Sequence, residues 1–200
     1  MLRRKIYDKL LAWKNSTGKK DAVLLRGVRQ CGKTYIVREF GKREYKNFIE
    51  INFIERPDMQ AVFSGNLDVD SMVQQIKLSM PGCQFIPGET LLFLDEIQDA
   101  PNARTSLKFW TQDGRFDCIA SGSLLGIDYK NEVSIPVGYE QQLIMRTLDF
   151  EEFIWALGCL HIRSLNKIYL YKIFIFPLTK LSDNICFTTL PNLSRTMPVK

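Results

Sequence analysis

The chain has 200 residues, enough for one domain with a full core and too few for a motor that carries its own substrate-handling modules. With 46% hydrophobic and 24% charged residues it has the composition of a folded globular protein, which argues against a disordered chain and against a membrane protein. The net charge of +5 lies wholly in residues 159–200, which hold six Lys or Arg and one Asp. Residues 1–158 are balanced, so charge gives the main domain no argument for a nucleic-acid or acidic-membrane partner.

Taken in chain order, Ile6, Leu10, Leu11 and Trp13 recur at near-helical spacing among basic residues and predict an amphipathic helix. The polar stretch Asn15 to Lys20 reads as a linker, and the apolar run Ala22 to Leu25 as a buried strand. Tyr35, Ile36, Val37 and Phe40 predict the apolar side of a helix that ends near Gly41, and Phe48 to Phe53 a second strand. Met72, Val73, Ile76 and Leu78 predict another helix, closed by Pro81 and Gly82, with Pro87 and Gly88 marking a turn. Thr90 to Leu94 reads as a third strand, Leu107 to Trp110 as helical, and Cys118 to Ala120 and Gln142 to Met145 as further strands. Strands that alternate with helices imply parallel βαβ units, hence an α/β fold with a parallel sheet and helices on both faces.

Residues 159–200 are a different kind of sequence: they contain no Gly, Ala, Glu or Gln, where average usage predicts roughly three Gly alone. The expectation is a core over 1–158 followed by an atypical basic and apolar tail, frameshifted or otherwise non-native. Ile168 to Leu178 is apolar, but Lys172 and Pro177 interrupt it and it falls short of the roughly 20 residues of a membrane span, so no membrane segment is expected. The five cysteines form no CxxC pair and there is a single His, a set that suits reduced thiols in the cytoplasm better than a zinc site or a disulfide framework.

Gly27-Val28-Arg29-Gln30-Cys31-Gly32-Lys33-Thr34 fits G-x-x-x-x-G-K-[ST] throughout, the Walker A phosphate loop. Glycines let successive backbone N–H groups turn toward phosphates, and the following helix adds its positive end. Lys33 is expected to reach the β- and γ-phosphates, and Thr34 to place its hydroxyl on Mg²⁺. Leu91 to Leu94 lead into Asp95 and Glu96, a Walker B pair at the carboxyl end of a buried strand, where side chains open onto the ligand crevice. Asp95 is expected to hold Mg²⁺ and Glu96 to polarise the attacking water. Ser121, after the Cys118 to Ala120 strand, offers a hydroxyl for the γ-phosphate or that water. Arg29, Arg104, Arg115 and Arg146 are candidate charge stabilisers, among which the sequence does not choose.

With these motifs in this order, the chain resembles the AAA+ ATPases, within the additional-strand, catalytic-glutamate class of P-loop proteins. Leu24 to Thr34, Leu91 to Pro101, Ile119 to Ile127 and Asp149-Phe150-Glu151-Glu152-Phe153 are similar to four segments of one bacterial and archaeal subgroup. The resemblance covers 1–158 and implies an ATPase that binds ATP and Mg²⁺, hydrolyses it and switches shape against an unknown protein client. It also implies a homo-oligomer with a trans-acting arginine, and DNA as a partner on the resemblance alone. In that subgroup a helical lid and a C-terminal domain follow the core. Neither is recognisable here, so the chain looks like a truncated member, for which a nucleotide-binding module without turnover is the alternative. Tyr139 stands where the subgroup often has Arg or Lys.

Overall fold

The structure is a computed structural model that describes residues 2–123 and 138–156, all within the unit Met1–Gly158. The expected tail over 159–200 lies outside the described residues.

Five strands build one sheet: β1 (Ala22–Gly27), β2 (Asn47–Asn52), β3 (Thr90–Asp95), β4 (Asp117–Ser123) and β5 (Glu140–Met145). Their order is β2-β3-β4-β1-β5, and every pairing is parallel. The strand β4 is thus inserted between β1, which leads into the phosphate loop, and β3, which ends in the acidic pair.

Alternation along these strands explains the two-sided core, since successive side chains point to opposite faces. Leu24, Leu92, Leu94 and Ala120 pack on one face with Met72, Ile76, Leu107 and Trp110. These last residues come from α3 (Val69–Ser79) and α4 (Pro101–Asp113). Val23, Leu25, Leu91, Phe93 and Ile119 pack on the other face with Leu10, Ile36, Val37 and Phe40, which belong to α1 (Lys5–Lys14) and α2 (Lys33–Glu44). A sheet covered on both sides needs strands apolar in both directions, which is why β3 is buried at every position. A fifth helix, α5 (Phe150–Ala156), follows β5. None of the described helices is long and apolar enough to cross a membrane.

Two apolar residues that helped predict helices lie outside the core: Tyr35, read on the apolar side of its helix, and Leu78, read only as helical. Leu78 is 81% exposed and Tyr35 is 52% exposed, because each sits at a helical position turned away from the sheet. The helix α2 continues past Gly41, because that glycine lies against the Phe48 ring rather than in a terminating turn. Also unread in the sequence was a 3-10 segment, Pro57–Phe63, which buries Met59, Val62 and Phe63.

Local signals set the helix ends. Asp68 caps α3 by accepting the Ser71 N–H at 2.9 Å, and Gly114 closes α4 in the left-handed region at φ 70°. The Ser71 hydrogen bonds hold the Asp68 carboxyl below its ordinary value of 3.8. Its contribution is therefore present at neutral pH and fades as pH falls through the carboxylate range. Asp68→Ala is expected to lower the melting temperature by about 2–4 °C at pH 7 and by less near pH 3, measured by calorimetry at both.

Candidate functional site

The site forms where β1, β3 and β4 reach their carboxyl ends. Gly27 is the last residue of β1, and a Cβ built on it would stand 2.4 Å from the Met145 carbonyl oxygen and 3.0 Å from Cys31 Sγ. Only glycine lets β1, the loop and β5 meet this closely. Gln30 (φ 61°) and Gly32 (φ 92°) both lie in the left-handed region and bend the loop back on itself. The helix α2 then starts on Gly32 with no side-chain cap and no acidic residue in its first turn. Its free N–H groups and positive dipole end are left for an anion.

Lys33, 6% exposed, is held beneath the loop, its Nζ donating to the carbonyls of Gly27 (3.1 Å) and Val28 (3.0 Å). Val28, Arg29 and Gln30 line the exposed crest, whereas Cys31 turns inward with its Sγ 3.7 Å from the Met145 carbonyl.

Asp95 is the junction of the site. It is 1% exposed and collects three donors. Thr34 Oγ1 donates to its Oδ2 at 2.8 Å, Asn52 Nδ2 to the same oxygen at 3.1 Å, and Ser121 Oγ to Oδ1. Sheet register produces this: Asn52 pairs with Asp95, and Leu94 with Ala120, which sets Ser121 one step further on. A buried carboxylate is tolerated because its lone pairs are taken up. Ser121, fully buried, thus meets Asp95 rather than the open crevice.

The adjacent oxygens of Thr34 and Asp95 are hard donors. No group of three or more His, Cys, Asp or Glu suited to a metal occurs among the described residues. The two oxygens of Thr34 and Asp95 are of the kind that could hold Mg²⁺, which binds through few protein ligands together with phosphate and water.

Glu96 leaves β3 in the left-handed region (φ 55°), so its side chain breaks from the strand alternation. Its Oε2 accepts from Gln98 Nε2 at 2.5 Å.

Beside the loop lies a cavity of about 340 Å³, lined by residues 30–32 and by Leu2, Tyr35, Met145 and Leu148. Arg4, from the segment before α1, also lines it. Arg4 donates to the carbonyls of Cys31 (3.2 Å) and Arg146 (2.7 Å), and its Nε lies 3.2 Å from Glu152 Oε2. Of the four arginines singled out in the sequence, Arg104 is committed to a buried pair with Glu140 at 2.9 Å, and Arg115 to Asp70 and Asp113. Arg29 and Arg146 remain exposed beside the loop and the cavity. Tyr139 uses its carbonyl to accept from Ala22 N–H and Thr111 Oγ1, while Lys19 and Lys108 lie over its ring.

The loop residues, Asp95, Glu96 and Ser121 therefore gather at the carboxyl ends of β1, β3 and β4, Arg104 and Arg115 do not, and three partners were missed. Asn52 carried a readable signal, a polar residue ending an apolar strand as Asp95 does. Gln98 lies within the segment Leu91 to Pro101 but its side chain was given no role there, and Arg4 carried no signal, since its contacts are distant in sequence.

The sequence profile of the AAA domain matches residues 19–154. This chain belongs to the AAA family of ATPases. As an AAA+ protein it is a P-loop nucleotide-binding chain, and the parallel sheet with its inserted strand is the fold of that class. The Orc1 protein of Aeropyrum pernix, solved in complex with DNA, is similar to it in fold. The two share 16% identity and a TM-score of 0.50, over 79% of this chain and 49% of that one. The chain thus spans about half the length of that Orc1 protein. No curated protein matches it.

Proposed function

We propose that this AAA+ chain binds Mg-ATP on the Gly27 to Thr34 loop, hydrolyses it, and uses the change to switch the shape it offers a partner. The observation that carries the reading is the junction at Asp95, where the loop's Thr34 and the ends of β2 and β4 meet one buried carboxylate.

Each residue then has a task. The first-turn amides of α2 and the Lys33 ammonium bind the phosphates, Lys33 exchanging its two loop carbonyls for phosphate oxygens. Thr34 and Asp95 would hold Mg²⁺, which would supply neutralisation of phosphate charge. Asn52 and Ser121 fix the orientation of Asp95. The cavity between Tyr35 and Leu148 takes the nucleoside, and its size lies within the range of small-ligand pockets. Glu96 accepts the proton of the attacking water as its oxygen bonds to the γ-phosphorus and the bond to the bridging oxygen breaks. Arg4 links the loop carbonyl of Cys31 to Glu152 in α5, so a loop that tightens on phosphate moves α5, the element that would carry the change to a client or a second copy.

Purified wild-type chain, Lys33→Ala and Glu96→Gln test this together by ADP titration and phosphate release. Lys33→Ala is expected to lose binding, and Glu96→Gln to keep it while turnover falls at least about a hundredfold. Wild type that binds but releases phosphate no faster than Glu96→Gln removes the enzyme and leaves a nucleotide-binding module.

A further inference from the structure

We infer that Gln98 is the positioning residue for Glu96, fixing the carboxylate that takes the water proton and tying it to the strand beside the phosphate loop. The inference rests on the proposed role of Glu96 as base.

Gln98 lies in the short 3-10 turn Ile97–Asp99 that follows the acidic pair. Its carboxamide is used at both ends. Nε2 donates to Glu96 Oε2 at 2.5 Å and to Asp99 Oδ2 at 3.2 Å, while Oε1 accepts from the Ser123 backbone N–H at 3.3 Å. Ser123 ends β4 and sits in register with Gly27, the first residue of the phosphate loop. A continuous chain of contacts therefore runs from loop to Gly27, across the β1–β4 ladder to Ser123, through the carboxamide and onto Glu96.

Glu96 needs such a support. Its left-handed backbone removes it from the sheet, and it is only partly buried, so packing alone does not set its rotamer. A general base works when a further group orients it. The Gln98 N–H does this on Oε2 and leaves the other oxygen for water. The carboxamide suits the task because it is a donor to the carboxylate and an acceptor for the amide at once, which neither Glu nor Met can be.

Two variants of near-equal length separate the roles. Gln98→Glu keeps an acceptor for Ser123 N–H but turns a carboxylate on Glu96. Gln98→Met removes both contacts and keeps the bulk. Both are expected to lower kcat by about 10- to 100-fold, as loss of a hydrogen bond to a charged group should. KM and ADP affinity should stay within about twofold, while affinity for ADP–aluminium fluoride should fall in step with kcat. A residue that merely holds the fold would move KM, ADP affinity and melting temperature together, and that result, or an unchanged kcat, overturns the inference. A melting cycle on the nucleotide-free chain gives a readout independent of turnover. Gln98→Met is expected to lower the melting temperature by a few degrees in wild type and by less in a Glu96→Ala background. Absent turnover in wild type condemns the ATPase reading and with it the catalytic half of the inference, whereas additive melting shifts condemn the Gln98–Glu96 tie itself.

Discussion

Arg4→Ala is expected to lower the melting temperature by about 6–20 °C and to weaken ADP binding at least tenfold. Arg4 and Glu152 are buried, with side chains 9% and 6% exposed and 3.2 Å between Nε and Oε2. Glu152 also accepts the backbone N–H groups of Lys5 (2.8 Å) and Asp149 (3.2 Å). Deleting the guanidinium leaves that carboxylate without its counter-charge in a dry position. Breaking a buried pair from one side costs about 3–5 kcal/mol, and each kcal/mol is worth about 2–4 °C in a chain of this size. The binding loss has a separate cause, because the same guanidinium holds the Cys31 and Arg146 carbonyls that border the cavity. Arg4→Lys keeps the charge but not the fork, so it should recover part of the melting temperature and little of the affinity. Arg4→Ala/Glu152→Ala should be less unstable than the sum of its single variants. Calorimetry and ADP titration on these variants, Glu152→Ala and wild type decide, and a shift under 2 °C for Arg4→Ala would falsify the account.

The contrast between Arg4 and Asp95 shows where sequence suffices. Asp95 was legible because the chemistry is local: an apolar run predicts a strand buried on both faces, and the residue ending it must face the crevice. The same reasoning extends to Thr34, fixed by the loop motif that precedes α2. The strand order was not legible from patterning, since nothing in Cys118 to Ala120 itself says that β4 inserts between β1 and β3; only the resemblance to the additional-strand class implied it, and that insertion brings Ser121 onto Asp95. Arg4 is 148 residues from its partner Glu152 in sequence, and no periodicity reports a contact of that span. Tyr35 was misjudged for the opposite reason. Spacing placed it on the apolar side of its helix, and it falls outside the buried arc.

Gly27→Ala should abolish nucleotide binding, with ADP affinity reduced more than about a thousandfold, and should destabilise the fold as well. The added carbon would stand 2.4 Å from the Met145 carbonyl oxygen and 3.3 Å from its carbon. Both are backbone atoms of β5, and Gly27 is paired with Met145 in the parallel ladder. No rotamer change can clear that overlap. Either β5 separates from β1 at its end, or Gly27 and the loop move away from it. The first course withdraws Met145 from the cavity wall, and the second displaces the amides that face phosphate. The stability cost should reach or exceed the upper end of the usual 1–3 kcal/mol for overpacking. Two other glycines separate the site from the fold. At Gly41 a Cβ would come 2.2 Å from Cδ2 of the Phe48 ring, a side chain on an edge strand that can shift, so Gly41→Ala should lower stability and spare ADP binding. At Gly65 nothing lies within 4 Å, and Gly65→Ala should be close to neutral in both. If Gly27→Ala instead binds ADP within tenfold of wild type, the close approach of β1 to β5 does not set the loop. The phosphate-binding geometry would then have to come from Gln30 and Gly32, the two left-handed residues further along the loop.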